Sequence, residues 1–148
     1  MYNPSSKELD IQYRTKGHHL QNEAKSNISH EMKITLYELA IKQYRQIKNK
    51  KDDDMFEISY CYYNIAIIYK TYLNKSIEAQ CNFQHAIDYL KSIQYPKHED
   101  NELLKDYYWQ LNNTNDNYYV ITREEQDSQL NDTANEQDEQ DDRIYKCR

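Results

Sequence analysis

The stretch YCYYNIAIIYKTYLNKSIEAQCNFQHAIDYLKSI, residues 60–93, decides the fold. Large rings recur through it, and three small residues, Ala66, Ala79 and Ala86, stand between them. Ile58, Tyr62, Ile65 and Tyr69 fall at i, i+4, i+7 and i+11, which is one face of a helix and not the alternation of a strand. Ala79, Phe83, Ala86, Leu90 and Ile93 make a second such face. The spacing predicts helices over 55–72 and 77–94, joined by the turn LNKS with Ser76 as N-cap. Two helices approach closely only where a small side chain on one meets a large one on the other. Ala66, Ala79 and Ala86 supply the small contacts, and Tyr62, Tyr69 and Phe83 the rings between them.

Three more helices extend the pattern on both sides. Residues 9–26 carry weak apolar marks at Leu9, Ile11, Tyr13 and Leu20, after a lead of eight residues that reads as frayed. Gly17 lies inside this segment; an interior Gly costs about 1 kcal/mol relative to Ala, so close packing against another helix is its expected reason. Residues 30–48 follow Ser29, a good N-cap, and present Leu36, Ala40, Tyr44 and Ile47 with Tyr37 and Ile41 beside them. The loop KNKKDDD, 48–54, ends in three carboxylates able to cap the next helix. After the break QYPKHED, 94–100, residues 99–111 give a fifth seam at Leu103, Leu104, Tyr107, Tyr108 and Leu111. The segment NNTNDN is expected to end the order. Residues 9–111 then form one all-α domain of about five antiparallel helices, and residues 112–148 a largely disordered acidic tail.

Composition agrees with helices. One Gly, two Pro and no Asn-Gly or Asp-Gly pair leave nothing for the turns of a β architecture. Apolar residues make up only 38% of the 148, so the core must be thin, and 16 Tyr supply much of its area. The net charge of −6 is uneven: residues 1–123 carry 16 basic and 16 acidic groups, whereas 124–142 carry nine acids and no Lys or Arg. A neutral body offers no electrostatic reason to bind nucleic acid or a membrane surface. No run of about 18 apolar residues exists, and the first residues lack an apolar leader segment, so a cytoplasmic protein with reduced thiols is expected. The four sequons, at Asn27, Asn74, Asn112 and Asn131, read as a by-product of Asn richness.

Catalytic patterns do not emerge. The five His form no HExxH and no Cys/His metal spacing, and His18 and His19 point to different helix faces. One Gly cannot build a phosphate loop. Cys61 and Cys81 read as core thiols without an adjacent cation. Lys48, Lys50 and Lys51 run straight into three Asp and make a poor nucleic-acid patch. No enzyme activity, cofactor or metal is expected.

Residues 62–86 resemble a tetratricopeptide repeat. Tyr62 stands at the repeat's Trp position, Ile65 and Ala66 at its Leu-Gly pair, and Tyr69 at its Tyr; Ala79 and Phe83 keep the Ala-x-x-x-Phe spacing, and Ala86 holds the next small position. The turn KTYLNKS is one residue longer than usual and lacks the common Gly, and Lys91 stands where Pro is usual. YELAIKQY, 37–44, is similar to the second helix of a preceding repeat, with Tyr37 and Ala40 matching Phe83 and Ala86 at a separation of 46 residues. That exceeds the usual period of about 34 and is closer to the long-helix variety of kinesin light chains. The resemblance covers about a quarter of the chain. A plain antiparallel bundle, or a three-helix microtubule-interacting-and-trafficking-type module, accommodates the same stripes.

The resemblance implies a short tetratricopeptide-like α-solenoid whose concave face, built by residues 9–26 and 55–72, binds a protein or peptide. It implies Tyr60, Tyr63, Asn64, Ile67 and Lys70 as partner contacts, and Tyr62, Ile65, Ala66, Tyr69, Ala79, Phe83 and Ala86 as repeat-packing residues. A carboxylate clamp of the family's kind would draw on Arg14, Asn64 and Lys105. Three classes compete: a peptide-binding adaptor, an assembly subunit that self-associates or joins a larger complex, and an enzyme, which would need a pocket with a perturbed acid or base.

Overall fold

The first two helices begin where a serine side chain offers the backbone a partner. The computed structural model describes the backbone of residues 1–129 and the side chains of residues 1–114. Within it α1 spans Ser6–Ala24, α2 His30–Gln46, α3 Asp52–Thr71, α4 Ser76–Lys91 and α5 His98–Gln129, with no strand among the described residues. The start of α1 lies before residue 9 because Ser5-x-x-Glu8 is a capping box: the Glu8 amide donates to Ser5 Oγ at 3.3 Å, and the Ser5 amide donates to Glu8 Oε2 at 2.7 Å. Ser29 caps α2 as expected, accepting from the Met32 amide at 3.2 Å.

Two boundaries differ from expectation. Ser76 is the first residue of α4 and not its cap. The turn before it closes on Asn74, whose φ of 52° is left-handed, while the Lys75 amide donates to the Tyr69 carbonyl at 2.9 Å. Asn tolerates this region better than any other residue bearing a side chain and takes the place of the missing Gly. α5, in turn, does not stop at NNTNDN. Residues 98–129 contain neither Gly nor Pro, and Asn and Thr lower helix propensity without forbidding the conformation. The expected tail at 112–148 therefore begins as helix, and residues 130–148 lie outside the described residues.

Consecutive helices pack as antiparallel neighbours, giving a short α-solenoid of stacked pairs. α1, α3 and α5 form an inner row, joined by side chains from Arg14 to Asp54 and from Tyr63 to Asp106. α2 and α4 form an outer row, where Arg45 Nε donates to the Tyr89 hydroxyl at 3.2 Å. The core between the rows falls into three buried clusters, bridged by the half-buried Tyr62, Tyr63 and Tyr69. Ala40, Tyr44, Ile58 and Ile65 lie in the first part, Ala66, Ala79 and Phe83 in the middle, and Ala86, Ile87, Leu90 and Tyr107 under α5. Ala66, Ala79, Phe83 and Ala86 are wholly buried, as the interlock of small and large residues requires. Gly17 does for the first pair what Ala66 does for the second: a Cβ there would fall 2.5 Å from Tyr44 Cζ.

Each pair is also tied at its end by a carboxylate. Asp10 accepts from the Lys48 and Asn49 amides at 2.9 and 3.1 Å, just past α2. Asp52 accepts from the Gln94 and Tyr95 amides at 2.9 and 3.0 Å, just past α4. The tied amides are 46 positions apart, the same separation as Tyr37 from Phe83.

Candidate binding face

The inner face of α3 carries the five partner-contact candidates, and its neighbours reach most of them. Tyr60 is half-buried, with Lys25 Nζ of the α1–α2 loop 5.5 Å from its ring centroid. Asn64 is half-buried and donates through Nδ2 to the Tyr60 carbonyl one turn back, at 2.7 Å. Ile67 packs partly on Phe83 and its two alanines. Lys70 Nζ donates to Gln110 Oε1 at 3.0 Å and stands 5.9 Å from the Trp109 ring of α5.

Tyr63 is engaged most fully. Its ring stacks on Tyr107 at 4.4 Å and 13°, meets Phe83 edge-on at 5.8 Å, and its hydroxyl donates to Asp106 Oδ2 at 3.1 Å. Burial and the nearby Asp106 carboxylate push that phenol up to about 12. Tyr63 thus docks α5, while Tyr60, Asn64, Ile67 and Lys70 remain a half-buried floor. The rim comes from Lys25, Asp106, Trp109 and Gln110, none of which a reading of α3 by itself could select. The periodicity of one helix names its faces; it does not name the side chains that arrive from elsewhere.

The packing candidates divide in two. Ile65, Ala66, Ala79, Phe83 and Ala86 are buried between the rows. Tyr62 and Tyr69 are half-buried toward the outer row, where Tyr62 lies 4.9 Å from His85 and 5.7 Å from Tyr89. Ser59, which no sequence signal marked, donates from Oγ to the Ala86 carbonyl at 2.7 Å and lets α3 and α4 touch there without losing a hydrogen bond.

The carboxylate-clamp arrangement does not assemble. Arg14 grips Asp54 through Nε at 2.6 Å and Nη2 at 2.7 Å, so its fork is spent on a buried side chain. Burial pushes the Asp54 carboxyl up, but the Arg14 fork and the Lys51 amide at 2.8 Å outweigh it and hold it below the usual carboxylate range. Lys105 pairs with Glu102 at 2.7 Å on exposed surface. Two of the three Asp therefore work as anchors beyond the start of their own helix: Asp52 ties the chain after α4, and Asp54 binds α1.

Cys61 is a core thiol, as expected. It is wholly buried, accepts from Gln21 Nε2 at 3.1 Å, and burial pushes its thiol up to about 12, far from a reactive thiolate. Among the described residues no group of His, Cys, Asp and Glu could hold a metal ion, and no helix is long and apolar enough to cross a membrane. A shallow depression of about 380 Å³ lies elsewhere, between α1 and α2, lined by Thr15, Lys16, His19, Leu20 and Gln43. The inner face offers phenol, indole, amide and ammonium groups in a row, which is the chemistry of recognition. No family model matches the chain, and neither a curated protein nor a solved structure matches it significantly.

Proposed function

We propose that the chain is a non-catalytic, cytoplasmic protein-binding module of the tetratricopeptide-like kind, taking a peptide or helix along the inner face of α3. The observation that carries this reading is the pairing of cations with aromatic rings on that face, Lys25 with the half-buried Tyr60 and Lys70 with the exposed Trp109. Such pairs hold aromatic anchors in place before a partner arrives, and the ammonium groups retain donors for an incoming carboxylate or carbonyl. The matching anchors of Asp10 and Asp52, each tying the amides just past its pair's second helix, favour a repeat over an irregular bundle.

The test is peptide display on the folded full chain. An enriched peptide motif should bind the native protein and lose affinity about tenfold or more when Asn64→Ala is combined with Lys70→Ala. Gln84→Ala with Asp88→Ala, an exposed pair on α4 bonded at 2.9 Å, should bind as the native protein does. Equal binding by both double variants would sink the inner-face reading. The assembly-subunit reading is favoured by a different observation, the apolar residues exposed at the two ends of the stack.

A further inference from the structure

A stack of helix pairs has two ends, and each needs a polar cover if it is to stay in water. Among the described residues neither end has one. At the far end α5 buries Leu103, Leu104, Tyr107 and Leu111 against the stack. Trp109 lies two residues from Tyr107, about 200° around the helix, and is 59% exposed. Glu102 and Lys105 share that outer side, and Tyr108, 39% exposed, borders it. At the near end Met32 and Leu39 stand two turns apart on α2, 51% and 41% exposed. One turn on from Leu39 is Gln43, which lines the depression with Leu20 and the stem of Lys16, a hollow of almost wholly apolar surface.

These are the faces that a preceding and a following helix pair would cover. α5 occupies the place of a first helix, and among the described residues no second helix pairs with it. α1 and α2 present the opposite face of the same stack. We propose that the two ends cover each other between copies, head to tail, so that the α1/α2 face of one molecule receives the α5 face of the next, with Trp109 entering the depression beside Leu20 and Leu39.

Charge selects this orientation. Residues 1–51 hold ten Lys and Arg against five Asp and Glu, whereas residues 52–114 hold five against ten. The first pair with its loop is thus positive by five and residues 52–114 negative by five. Head-to-tail contact brings opposite halves together, whereas head-to-head or tail-to-tail contact brings like charges together. A heterologous contact of this kind does not close after two copies and grows into an open chain or ring. It uses neither Tyr60 nor Asn64 but shares Trp109 with the rim of the inner face, so Leu39 on α2 is the position that tells the two readings apart.

Sedimentation velocity on the full chain tests it. The native protein should pass from monomer to species larger than dimer as concentration rises, and added salt should reverse this, because exposed charges are screened beyond about 8 Å at physiological ionic strength. Leu39→Asp and Trp109→Asp, each at an exposed position, should both remain monomeric and folded. Mixed in equal amounts they should form a one-to-one dimer that grows no further, since each still offers one intact face. Should either variant fail to fold, Lys16→Glu or Glu102→Lys takes its place at the same end. A native protein that stays monomeric at every concentration, variants that still self-associate singly, or a mixture that stays monomeric would each overturn the proposal. Leu39→Asp, which lies away from α3, should keep the native affinity for an inner-face peptide.

Discussion

The two helix pairs, α1/α2 and α3/α4, close the same kind of contact with different chemistry. In the second pair the work is largely apolar: Ala66, Ala79 and Phe83 interlock with no measurable exposure, and Ser59 adds a polar tie to the Ala86 carbonyl. In the first pair α1 buries little that is oily. Its buried residues are Asp10, Gly17, Gln21 and Ala24, and half of those are polar. Gly17 lets the Tyr44 ring reach the α1 backbone, Gln21 Oε1 accepts from the Tyr44 hydroxyl at 3.2 Å, and Arg14 locks α1 onto Asp54 of α3. A helix with weak amphipathicity can be held in a stack if a few of its polar groups are fully partnered, because the alternative is an orphaned buried group.

That comparison can be broken at its apolar side first. Phe83→Ala empties the centre of the second pair and should destabilise the protein by about 3–5 kcal/mol, the range for removing a large ring from a packed core. Urea denaturation measures it. A loss below 1 kcal/mol would show that α3 and α4 do not rely on the interlock.

Next comes the polar side. Asp54→Ala strands Arg14 against the stack; because Arg14 is a quarter exposed and can turn to water, the cost should be about 2–3 kcal/mol, less than for a fully enclosed pair. Adding Arg14→Ala should recover part of it, since the unpaired charge is then gone. A double variant no more stable than the single one would mean that Asp54 matters through the Lys51 amide alone.

Gly17→Ala sharpens the comparison. Helix propensity alone would stabilise the variant by up to about 1 kcal/mol. The new Cβ meets the ring of a wholly buried Tyr44, so overpacking at about 1–3 kcal/mol should reverse the sign. A raised melting temperature would mean that the ring moves aside easily and the contact is not close in solution.

The smallest effect is in acid. Hydrogen bonds from the Lys48 and Asn49 amides, opposed by burial, hold the Asp10 carboxyl below its ordinary value, and Asp54 is lowered as well. A carboxyl lowered by folding adds stability that is fully present above its unfolded pKa and is lost as pH falls through the folded one. Stability should therefore drop as pH falls below about 4, and Asp10→Asn should be less stable at neutral pH with a shallower acid slope. An unchanged slope would show that Asp10 binds the loop no more tightly than water does.

Much of the fold was legible because periodicity and punctuation are local. The stripe at Ile58, Tyr62, Ile65 and Tyr69, the cap at Ser29 and the buried small residues all follow from spacing on one helix. Less of the binding face could be read. Tyr63 and Lys70 were chosen as outward positions of α3, yet both meet α5, because which neighbour covers a helix face depends on the crossing geometry of the pair and not on the face itself. Arg14 looked like a free cation for the same reason: its partner is forty residues away and on another helix.

The sequence by itself determined that this chain is helical, that its helices return in short antiparallel turns, and which rings and alanines lie between them, since each of these is a matter of composition and of neighbours within one or two turns. Only the tertiary structure decided how polar residues were used: that Asp10 and Asp52 tie amides past the ends of distant helices, that Asp54 holds α1, and that among the described residues both ends of the stack expose apolar side chains. A carboxylate carries no local mark of its partner, because a hydrogen bond is set by position in space, and positions forty residues apart meet only once the pairs have stacked.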